Sequence, residues 1–405
     1  MRALPFALAS SCVLAGAAGC LSAPTGRDPA AIDAAVDGAG AAWPPPSANI
    51  VAITAGDLDG DGKDDLIAAD AANARVFLLR GGVDLDPTRT AVTSTSDSAP
   101  LAGLRAPAAA IIARNGGARF VVVLDNPASG PRLTVLDAQL VITSQTSAGQ
   151  TPAPSGAVVS LTQTTFGMNM NAIFGSIPDA VFFMEGTVLG MATPAVMQLP
   201  ENGATPLASV IAVAGFVASG TPASPTVVVS ELDHAQKAIA SGPGVFNWST
   251  VRATGPTWTA QTPADITGDT YADIVAFAPE GGNTADLCVL DAQAGTTACL
   301  DTPFGMDTAA IAVGPVVAPN QSDVVLAHVN PGNPSLTAVF VVPRLRVQGT
   351  LLADGMSAPT MLPAMNGLLA LAQLDGAGKE ILVVGQDGAI VCARSNGGAP
   401  VACAP

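Results

Sequence analysis

Basic and titratable residues are scarce in this chain of 405 residues. Lysine and arginine together number 16 against 32 aspartates and glutamates, which gives a formal net charge of -16. Nucleic acids and anionic membrane surfaces require a basic patch on a protein partner, so neither is expected to bind the folded chain directly. There are only two histidines, His234 and His328, and the sequence contains no His-Glu-x-x-His or Gly-x-Ser-x-Gly motif. We therefore predict no catalytic residue and interpret both histidines as surface or strand residues.

Small and β-branched residues make up much of the chain instead. Hydrophobic residues account for 49% of the sequence and charged residues for 12%, and there are 42 glycines and 33 prolines. Apolar runs rich in valine and threonine, separated by glycine and proline, are typical of many short strands. No pattern of a long amphipathic helix occurs. The sequence therefore predicts an all-β fold with enough apolar residues to bury a large core.

Residues 1–19 have the pattern of an export signal. Arg2 supplies the positive start, and a mostly apolar stretch follows that is too short to span a membrane. Residues 17–20, Ala-Ala-Gly-Cys, resemble the lipobox of bacterial lipoproteins, which implies that Cys20 is lipidated and becomes the mature N-terminus. The prediction is a protein lipid-anchored to the outer membrane or cell surface. Plain secretion with an incidental Cys20 is the alternative.

Residues 20–47 separate this anchor from the remainder of the chain. They are rich in alanine, proline, glycine and aspartate, and they end in Trp-Pro-Pro-Pro followed by Ser. Such a composition predicts a tether rather than a folded element. The folded domain is predicted to occupy residues 48–405.

Four cysteines lie beyond the anchor, in two pairs with the same spacing of eleven positions. They are Cys288 with Cys299, and Cys392 with Cys403. Each pair flanks a turn-like centre, so that a β-hairpin would place its two cysteines opposite each other, where a disulfide can form in an oxidising compartment. The alternative is four small buried thiols.

One stretch, residues 56–66, reads Gly-Asp-Leu-Asp-Gly-Asp-Gly-Lys-Asp-Asp-Leu and lies between two strand-like runs. Four of its aspartates fall on nearly alternate positions: Asp57, Asp59, Asp61 and Asp65. Carboxylates this close repel one another unless they turn into water or share a cation. A flexible, glycine-containing loop with carboxylates and the Lys63 carbonyl suits calcium better than magnesium.

An EF-hand is the competing interpretation, because its loop also begins Asp-x-Asp-x-Asp-Gly. The twelfth position of an EF-hand loop is a bidentate glutamate, whereas that position here is Ala68, within an apolar run. The loop therefore closes early, on Asp65, which favours a strand-loop-strand site.

A second stretch, residues 265–275, repeats the first at the same internal spacing. Thr267 replaces the second aspartate, and the other positions are Asp265, Asp269, Tyr271 and Asp273. Fainter copies occur elsewhere, and the last loop positions of all copies are residues 65, 119, 179, 225, 273, 323 and 380, a period of about 50 residues. With four strand-like runs in each of seven units, this period predicts a seven-bladed β-propeller of four-stranded antiparallel blades. No strand remains to cross between the first and last units, so we expect packing alone to close the ring.

The Asp-x-Asp-Gly-Asp-Gly-x-x-Asp-Leu signature followed by an apolar strand resembles the FG-GAP or VCBS repeat of integrin α-subunit propellers and bacterial surface proteins. In that family the aspartate loops join the first two strands of a blade and hold structural calcium ions. The resemblance implies two Ca²⁺ sites. Their ligands would be Asp57, Asp59, Asp61, Lys63 (carbonyl) and Asp65, and Asp265, Thr267, Asp269, Tyr271 (carbonyl) and Asp273. We expect the first site, with four carboxylates, to bind more tightly than the second, with three.

Two classes of function remain open. The predicted anchor, the structural cation loops and the lack of a catalytic motif favour a non-enzymatic, monomeric binding or adhesion module for an extracellular protein or glycan. The alternative is an extracellular carbohydrate-active enzyme, a polysaccharide lyase or hydrolase, because propeller active sites can gather carboxylates from distant blades. Charged residues in the central channel would favour the enzyme. Trp43, Trp248 and Trp258 are candidate stacking surfaces, although we expect at least two of them to pack between blades.

Overall fold

The computed structural model describes thirty strands within one compact unit, Gly40–Pro405. The residues that it describes are 42–85, 92, 95–115, 117–147, 152–153, 159–166, 170–177, 180–186, 196–198, 207, 210–218, 224–242, 245–267, 271–281, 284–302, 310–317, 322–329, 333–343, 346–347, 351–352, 357–374, 379–395 and 400–402. The predicted export signal, Cys20 and most of the predicted tether lie outside them. Among the described residues there is no helix with the length and hydropathy of a membrane span.

Six four-stranded antiparallel sheets, or blades, each consist of four consecutive strands. The first three are β1 (Ile50–Gly56), β2 (Asp65–Asp70), β3 (Arg75–Leu79) and β4 (Asp97–Pro100); β5 (Ala109–Asn115), β6 (Ala118–Asp125), β7 (Arg132–Leu136) and β8 (Ile142–Ser147); and β9 (Ser160–Phe166), β10 (Met170–Ile177), β11 (Ala180–Gly186) and β12 (Val196–Gln198). The next two are β13 (Val210–Ala218), β14 (Ser224–Glu231), β15 (Ala235–Gly242) and β16 (Val245–Arg252); and β17 (Ala260–Ala264), β18 (Asp273–Gly281), β19 (Thr284–Asp291) and β20 (Thr296–Thr302). The last blade, at the C-terminus, is β27 (Leu368–Ala372), β28 (Glu380–Val384), β29 (Ile390–Arg394) and β30 (Val401–Ala402).

One further four-stranded sheet departs from this pattern. It pairs β21 (Ala310–Gly314), β22 (Asp323–Val329), β23 (Thr337–Val342) and β26 (Thr360–Leu362), and it skips the separate hairpin of β24 (Arg346–Val347) and β25 (Leu351–Leu352). The prediction of seven like units is therefore wrong. There are six regular blades, and the interrupted blade lies between the fifth of them and the last. The cause is an insertion between the third and fourth strands, and such loop insertions leave the paired strands undisturbed.

Two further details of the predicted repeat are also wrong. The third predicted unit, centred on Asp179, falls at the turn between β10 and β11 rather than between the first two strands of its blade. The threonine-containing run at residues 90–95 also predicts a strand of the first blade, but the outer strand of that blade is Asp97–Pro100. In both places an apolar or threonine-rich run fits a strand without showing which strand of a blade it is.

The first strands of the blades form a closed ring in chain order. Strands β1, β5, β9, β13, β17, β21 and β27 contact one another in sequence, and β27 contacts β1. Each interface between neighbouring blades holds one apolar cluster. Middle strands such as β2 and β28 are buried along their whole length because both faces meet a neighbouring blade. This double burial explains why the residues inside these strands, after the acidic first residue, are apolar without alternation.

The seam between the first and last blades contains polar contacts as well as packing, so the expectation of packing alone is wrong. Ile50 N donates to Gln386 O at 2.9 Å, and Asp64 N donates to Gln373 O at 2.8 Å. The Asp64 carboxylate accepts from Gln373 N at 2.9 Å and pairs with Lys379 Nζ at 3.2 Å. The seam is thus closed by specific bonds between residues about 310 positions apart in the chain.

Trp43, at the end of the predicted tether, also packs at this seam. Its side chain is buried and meets Phe77 edge to face, with ring centroids 5.5 Å apart. The same apolar cluster includes Leu382 and Val384 of the last blade. Asn73 Nδ2 donates to Pro46 O at 3.1 Å, which places this segment beside the turn between β2 and β3.

Successive turns of an antiparallel sheet lie at alternating ends of the sheet. The loop from β1 to β2 and the loop from β17 to β18 therefore lie at the same end of the ring, which we call the aspartate-loop end. The turn from β2 to β3, where residues 43–46 pack, lies at the opposite end. The two predicted cation loops thus share one rim of the molecule.

Candidate metal centre

The first aspartate loop, residues 56–66, brings three of its four predicted carboxylate ligands together. One oxygen from each of Asp57, Asp59 and Asp61 lies within 4.8 Å of the others. Gly60 and Gly62 adopt positive φ values of 96° and 90°, a region that favours glycine, and this backbone lets the loop fold back on itself. The arrangement presents a cluster of carboxylate oxygens at the rim.

Backbone amides of the loop orient these carboxylates. Asp57 Oδ1 accepts from Gly60 N at 2.6 Å, and Asp59 Oδ1 accepts from Asp61 N at 3.1 Å. Asp61 Oδ1 accepts from Lys63 N at 2.8 Å. These local bonds are typical of aspartates in turns and hold the side chains on one side of the loop.

Two arginines pair with the first two of these carboxylates. Arg119 Nη1, from β6 of the second blade, lies 2.6 Å from Asp57 Oδ1. Arg80, the residue after β3, has Nη1 2.5 Å from Asp59 Oδ2. The repulsion among the aspartates is therefore relieved by guanidinium groups, which is a third possibility beside water and a cation.

Asp65, the fourth predicted ligand, is turned into the fold. Its side chain is buried, Oδ2 accepts from Leu58 N at 3.0 Å, and Oδ1 accepts from Gly81 N at 3.0 Å. Desolvation by burial raises the pKa of this carboxyl to about 6, against the lowering effect of the two backbone hydrogen bonds. Asp65 therefore joins the loop to the end of the third strand.

The same arrangement recurs in three other blades at the first residue of the second strand. Asp273 Oδ2 accepts from Ile266 N and Thr267 N, each at 3.1 Å, and Oδ1 accepts from Ala292 N at 3.1 Å. Asp323 and Glu380 are buried at the same position and accept from loop amides in the same way: Val316 N and Val317 N at 2.8 and 2.7 Å, and Leu374 N at 3.0 Å. We call Asp65, Asp273, Asp323 and Glu380 the strand-start carboxylates.

The sequence contains a pattern that indicates this loop-closing role, although we interpreted Asp65 and Asp273 as cation ligands. Five of the repeated last loop positions, 65, 179, 273, 323 and 380, are acidic, yet only the units ending at 65 and 273 have two or more further aspartates in the loop. The donors Leu58, Ile266, Val316 and Leu374 are buried apolar residues seven or six positions before each acid. A buried apolar residue followed by a buried acid at this distance marks the closure of the loop.

The second aspartate loop, residues 265–275, is described only in part. Asp269 lies outside the described residues, so its place relative to Asp265 and Thr267 stays a prediction. Thr267 Oγ1 is buried and has no hydrogen-bond partner among the residues that the structure describes. Tyr271 packs against apolar clusters of the neighbouring blades, and burial raises the pKa of Asp273 to about 6.

The donors in these loops fit a hard divalent cation. Calcium takes about six to eight oxygen ligands in flexible geometry, and the first loop offers three clustered carboxylates. In the second loop the buried Thr267 hydroxyl has no hydrogen-bond partner among the residues that the structure describes, and buried polar groups are usually hydrogen-bonded. Asp65 and Asp273 fit less directly, since backbone amides already occupy both oxygens of each.

A pocket adjoins the first aspartate loop, between the first and second blades. Its volume is about 370 Å³, and its lining includes Asp59, Arg119, Asp137 and Gln139. Asp137 Oδ1 accepts from Gln139 N and Val141 N at 3.0 and 2.8 Å. The pocket is therefore lined by both acidic and basic side chains.

The central channel, at the ring axis, has different chemistry. A cavity of about 520 Å³ is lined by residues of the inner strands, mostly Ala, Val, Ile and Leu, with Ser160, Thr162, Gln163, Gln261 and Thr262 as polar members. Within the described part of the chain, no residue of this lining is charged. The channel is an apolar space with a few neutral hydrogen-bonding groups.

The structure also locates the other predicted site residues that it describes. Cys288 and Cys299 are directly opposed on β19 and β20 and form a disulfide, as predicted. Cys392 is disulfide-bonded, but Cys403 lies outside the described residues, so that pairing stays a prediction.

The tryptophans and histidines are mostly buried. Trp43 and Trp258 are 4% and 2% exposed, which confirms that at least two tryptophans pack inside the fold, and Trp248 packs against the cluster between the third and fourth blades. His328 is buried on β22. His234, in the turn after β14, has Nδ1 2.6 Å from Asp233 Oδ1 and Nε2 2.7 Å from Glu231 Oε2.

Comparison with known proteins bears on the fold. No family model matches the chain, and no curated protein matches it. A crystal structure of BBS1N in complex with ARL6DN, soaked with lead, is 12% identical, with a TM-score of 0.51 over 85% of this chain and 92% of that one. The chain has a β-propeller fold. This likeness and the strand topology together show that fold and nothing finer.

Two other solved structures are similar to this propeller at lower scores. A mutant of AofleA from Arthrobotrys oligospora is 14% identical, with a TM-score of 0.45 over 74% of this chain and 85% of that one. The Dos1 propeller is 10% identical, with a TM-score of 0.40 over 85% of this chain and 83% of that one. Membership of the FG-GAP or VCBS family stays a prediction.

Proposed function

We propose that the chain is a cell-surface binding module, a propeller stabilised by calcium at its aspartate-loop end and held to the membrane by a lipid on Cys20. The proposal that a cation binds here rests on the cluster of Asp57, Asp59 and Asp61. A bound calcium ion would supply charge neutralisation and rigidity. The ligands would be Asp57, Asp59, Asp61 and the Lys63 carbonyl in the first loop, and Asp265, Thr267, Asp269 and the Tyr271 carbonyl in the second, with Asp65 and Asp273 as closing residues.

The chemistry of the central channel supports binding over catalysis. Glycoside hydrolysis uses a pair of carboxyl groups beside the scissile bond, and proton transfer in general needs a titratable group within hydrogen-bond reach. The described channel lining offers amides and hydroxyls instead. Such a surface suits hydrogen bonding to a neutral ligand such as a glycan or a peptide.

Calcium binding is tested by calorimetric titration of the purified chain after chelation. We expect dissociation constants of about 0.1 to 1 mM, as in extracellular modules, and a rise in melting temperature with calcium. The matched variant is Asp61→Asn, which removes one exposed ligand charge. No heat and no change in melting temperature at 10 mM calcium would contradict the cation proposal.

Ligand recognition is tested by screening glycan and protein arrays with and without calcium. A reproducible ligand whose binding survives in Asp61→Asn at high calcium would support a structural cation. Release of a shortened glycan product would instead favour the carbohydrate-active enzyme. Metabolic labelling with a radioactive fatty acid, compared with Cys20→Ser, tests the anchor, and labelling that persists in the variant would contradict it.

A further inference from the structure

Two arginines from different blades occupy carboxylates that the proposed calcium ion would need. Arg119 and Asp57 are 22% and 15% exposed, so their 2.6 Å contact is largely shielded from water. Arg80 and Asp59 are 21% and 30% exposed at 2.5 Å. Shielded charge pairs hold more strongly than pairs in open solvent, where each is worth little.

A cation bound at Asp57 Oδ1 would compete with Arg119 for that oxygen. Calcium binds carboxylate oxygens at about 2.4 Å, and Arg119 Nη1 lies 2.6 Å from Asp57 Oδ1. An ion on that oxygen would lie within about 5 Å of the guanidinium, close enough for strong repulsion at partial burial. Asp57 Oδ1 also accepts from Gly60 N, so it has little remaining capacity for a third partner.

We propose that Arg119 is a built-in counter-ion of the first aspartate loop, which holds Asp57 in the absence of a cation and is displaced when calcium binds. The inference rests on the proposed calcium binding. Arg80 serves Asp59 in the same way from within the first blade. Arg119 comes from the second blade, and its exchange for calcium therefore links cation binding to the contact between two blades.

The structure provides a place for the displaced side chain. The adjoining pocket of about 370 Å³ already includes Arg119 in its wall, and Asp137 lines the same space. A guanidinium that leaves Asp57 can turn toward this second carboxylate without crossing the apolar core. Two consequences follow: the loop keeps its fold without calcium, and the calcium affinity is lower than the count of carboxylates indicates.

The test is calcium titration of Arg119→Gln and of a matched control, Arg114→Gln. Arg114 lies directly opposite Arg119 on β5, is exposed, and carries the same charge, so both variants change the net charge equally. We expect Arg119→Gln to lower the calcium dissociation constant about tenfold and Arg114→Gln to change it less than twofold. Without calcium, Arg119→Gln should melt at a lower temperature than the control, and calcium should remove that difference.

The outcomes separate this inference from the proposed function. If the unsubstituted chain binds calcium and Arg119→Gln binds no more tightly, the counter-ion role is overturned while calcium binding stands. If only Arg119→Gln binds, the counter-ion role is supported and the native site is weaker than proposed. If none of the three proteins shows heat or a shift in melting temperature at 10 mM calcium, both proposals fall.

Discussion

The two aspartate loops are attached to the propeller in the same way but differ at their tips. In each, a buried strand-start carboxylate, Asp65 or Asp273, accepts backbone hydrogen bonds from its own loop and from the end of the third strand. At the tip of the first loop, arginines pair with Asp57 and Asp59. In the second loop Thr267 stands at the position of Asp59, and its buried hydroxyl has no hydrogen-bond partner among the described residues.

This difference separates two roles of the aspartates in the motif: one closes the loop from the interior, and the others present charge at the tip. The interrupted blade and the last blade keep the strand-start carboxylate, as Asp323 and Glu380, without an aspartate cluster in the loop. In the last blade Arg394 Nη2 adds a 3.0 Å ion pair to Glu380. Closing the loop with a buried acid is therefore shared by four blades, whereas the chemistry of the tip varies among them.

The largest effect should come from removing the shared attachment. Asp65→Ala leaves the buried amides of Leu58 and Gly81 without acceptors, and Asp273→Ala does the same in the second loop; each should lower the free energy of unfolding by about 4 kcal/mol. Asp61→Ala, at an exposed tip position, should cost less than about 0.5 kcal/mol. Urea unfolding of the three variants measures this. Equal costs for Asp65→Ala and Asp61→Ala would contradict the separation of roles.

A second difference is the Cys288–Cys299 disulfide, which lies in the blade of the second loop. Replacing both cysteines by alanine should lower the free energy of unfolding by about 3 kcal/mol in the chain-entropy estimate. Cys288 lies on the strand that ends just before Ala292, whose amide binds Asp273, so the second loop should loosen and the first should not. Hydrogen exchange of both loops tests this. Equal loosening of both would show that the disulfide acts on the whole ring.

The raised pKa of Asp65 and Asp273 makes the attachment dependent on pH. Each folded pKa is about 6, against 3.8 for the ordinary carboxyl, so the folded state binds these protons more tightly and their contribution to stability falls as pH rises from about 4 to 6. Asp65→Asn and Asp273→Asn remove the titration. In calcium-free buffer, each variant should gain about 2 to 3 kcal/mol relative to the parent between pH 4 and 7.

The check is chemical unfolding at intervals across that range, with Asp61→Asn as an exposed control. A constant difference between Asp65→Asn and the parent at every pH would contradict the burial argument. If Asp65→Asn gains stability with rising pH and Asp273→Asn does not, the two loops are less alike than their hydrogen bonds indicate.

The smallest effect is at the tip of the second loop. Thr267→Asp restores the carboxylate that the first loop has at this position and should tighten calcium binding there about tenfold, because calcium affinity rises with ligand charge. The background is Asp61→Ala, which weakens the first loop. Calorimetry measures the change, and Thr267→Ser is the neutral control. Unchanged affinity in Thr267→Asp would mean that the second loop is not a cation site.

Much of this architecture was predictable from local patterns. The hairpins around residues 57–65 and 265–273, the cross-strand pair Cys288–Cys299 and the strands of the last blade follow from apolar runs, glycine turns and repeat spacing. These features depend on residues close in sequence. Turn chemistry and hairpin register act over such short distances.

The errors have a common physical origin. The third unit was assigned to the wrong hairpin because the strand runs around Asp179 look alike. The interrupted blade was taken as regular because the period of about 50 residues does not show the hairpin inserted at residues 346–352. Which strand of a blade a run becomes depends on its neighbours in the ring. Local periodicity carries no information about that order.

By itself the sequence determined the all-β class, the repeated blade and the positions of its acidic loops, because strand propensity, turn residues and spacing are local properties. Only the tertiary structure decided what each carboxylate does. Asp65 and Asp57 are eight positions apart in one motif, yet Asp65 accepts backbone amides in the interior while Asp57 meets Arg119, 62 positions away on the next blade. Burial and long-range charge pairing are set by the closing of the ring, and they determine the role of a carboxylate more strongly than its place in a motif does.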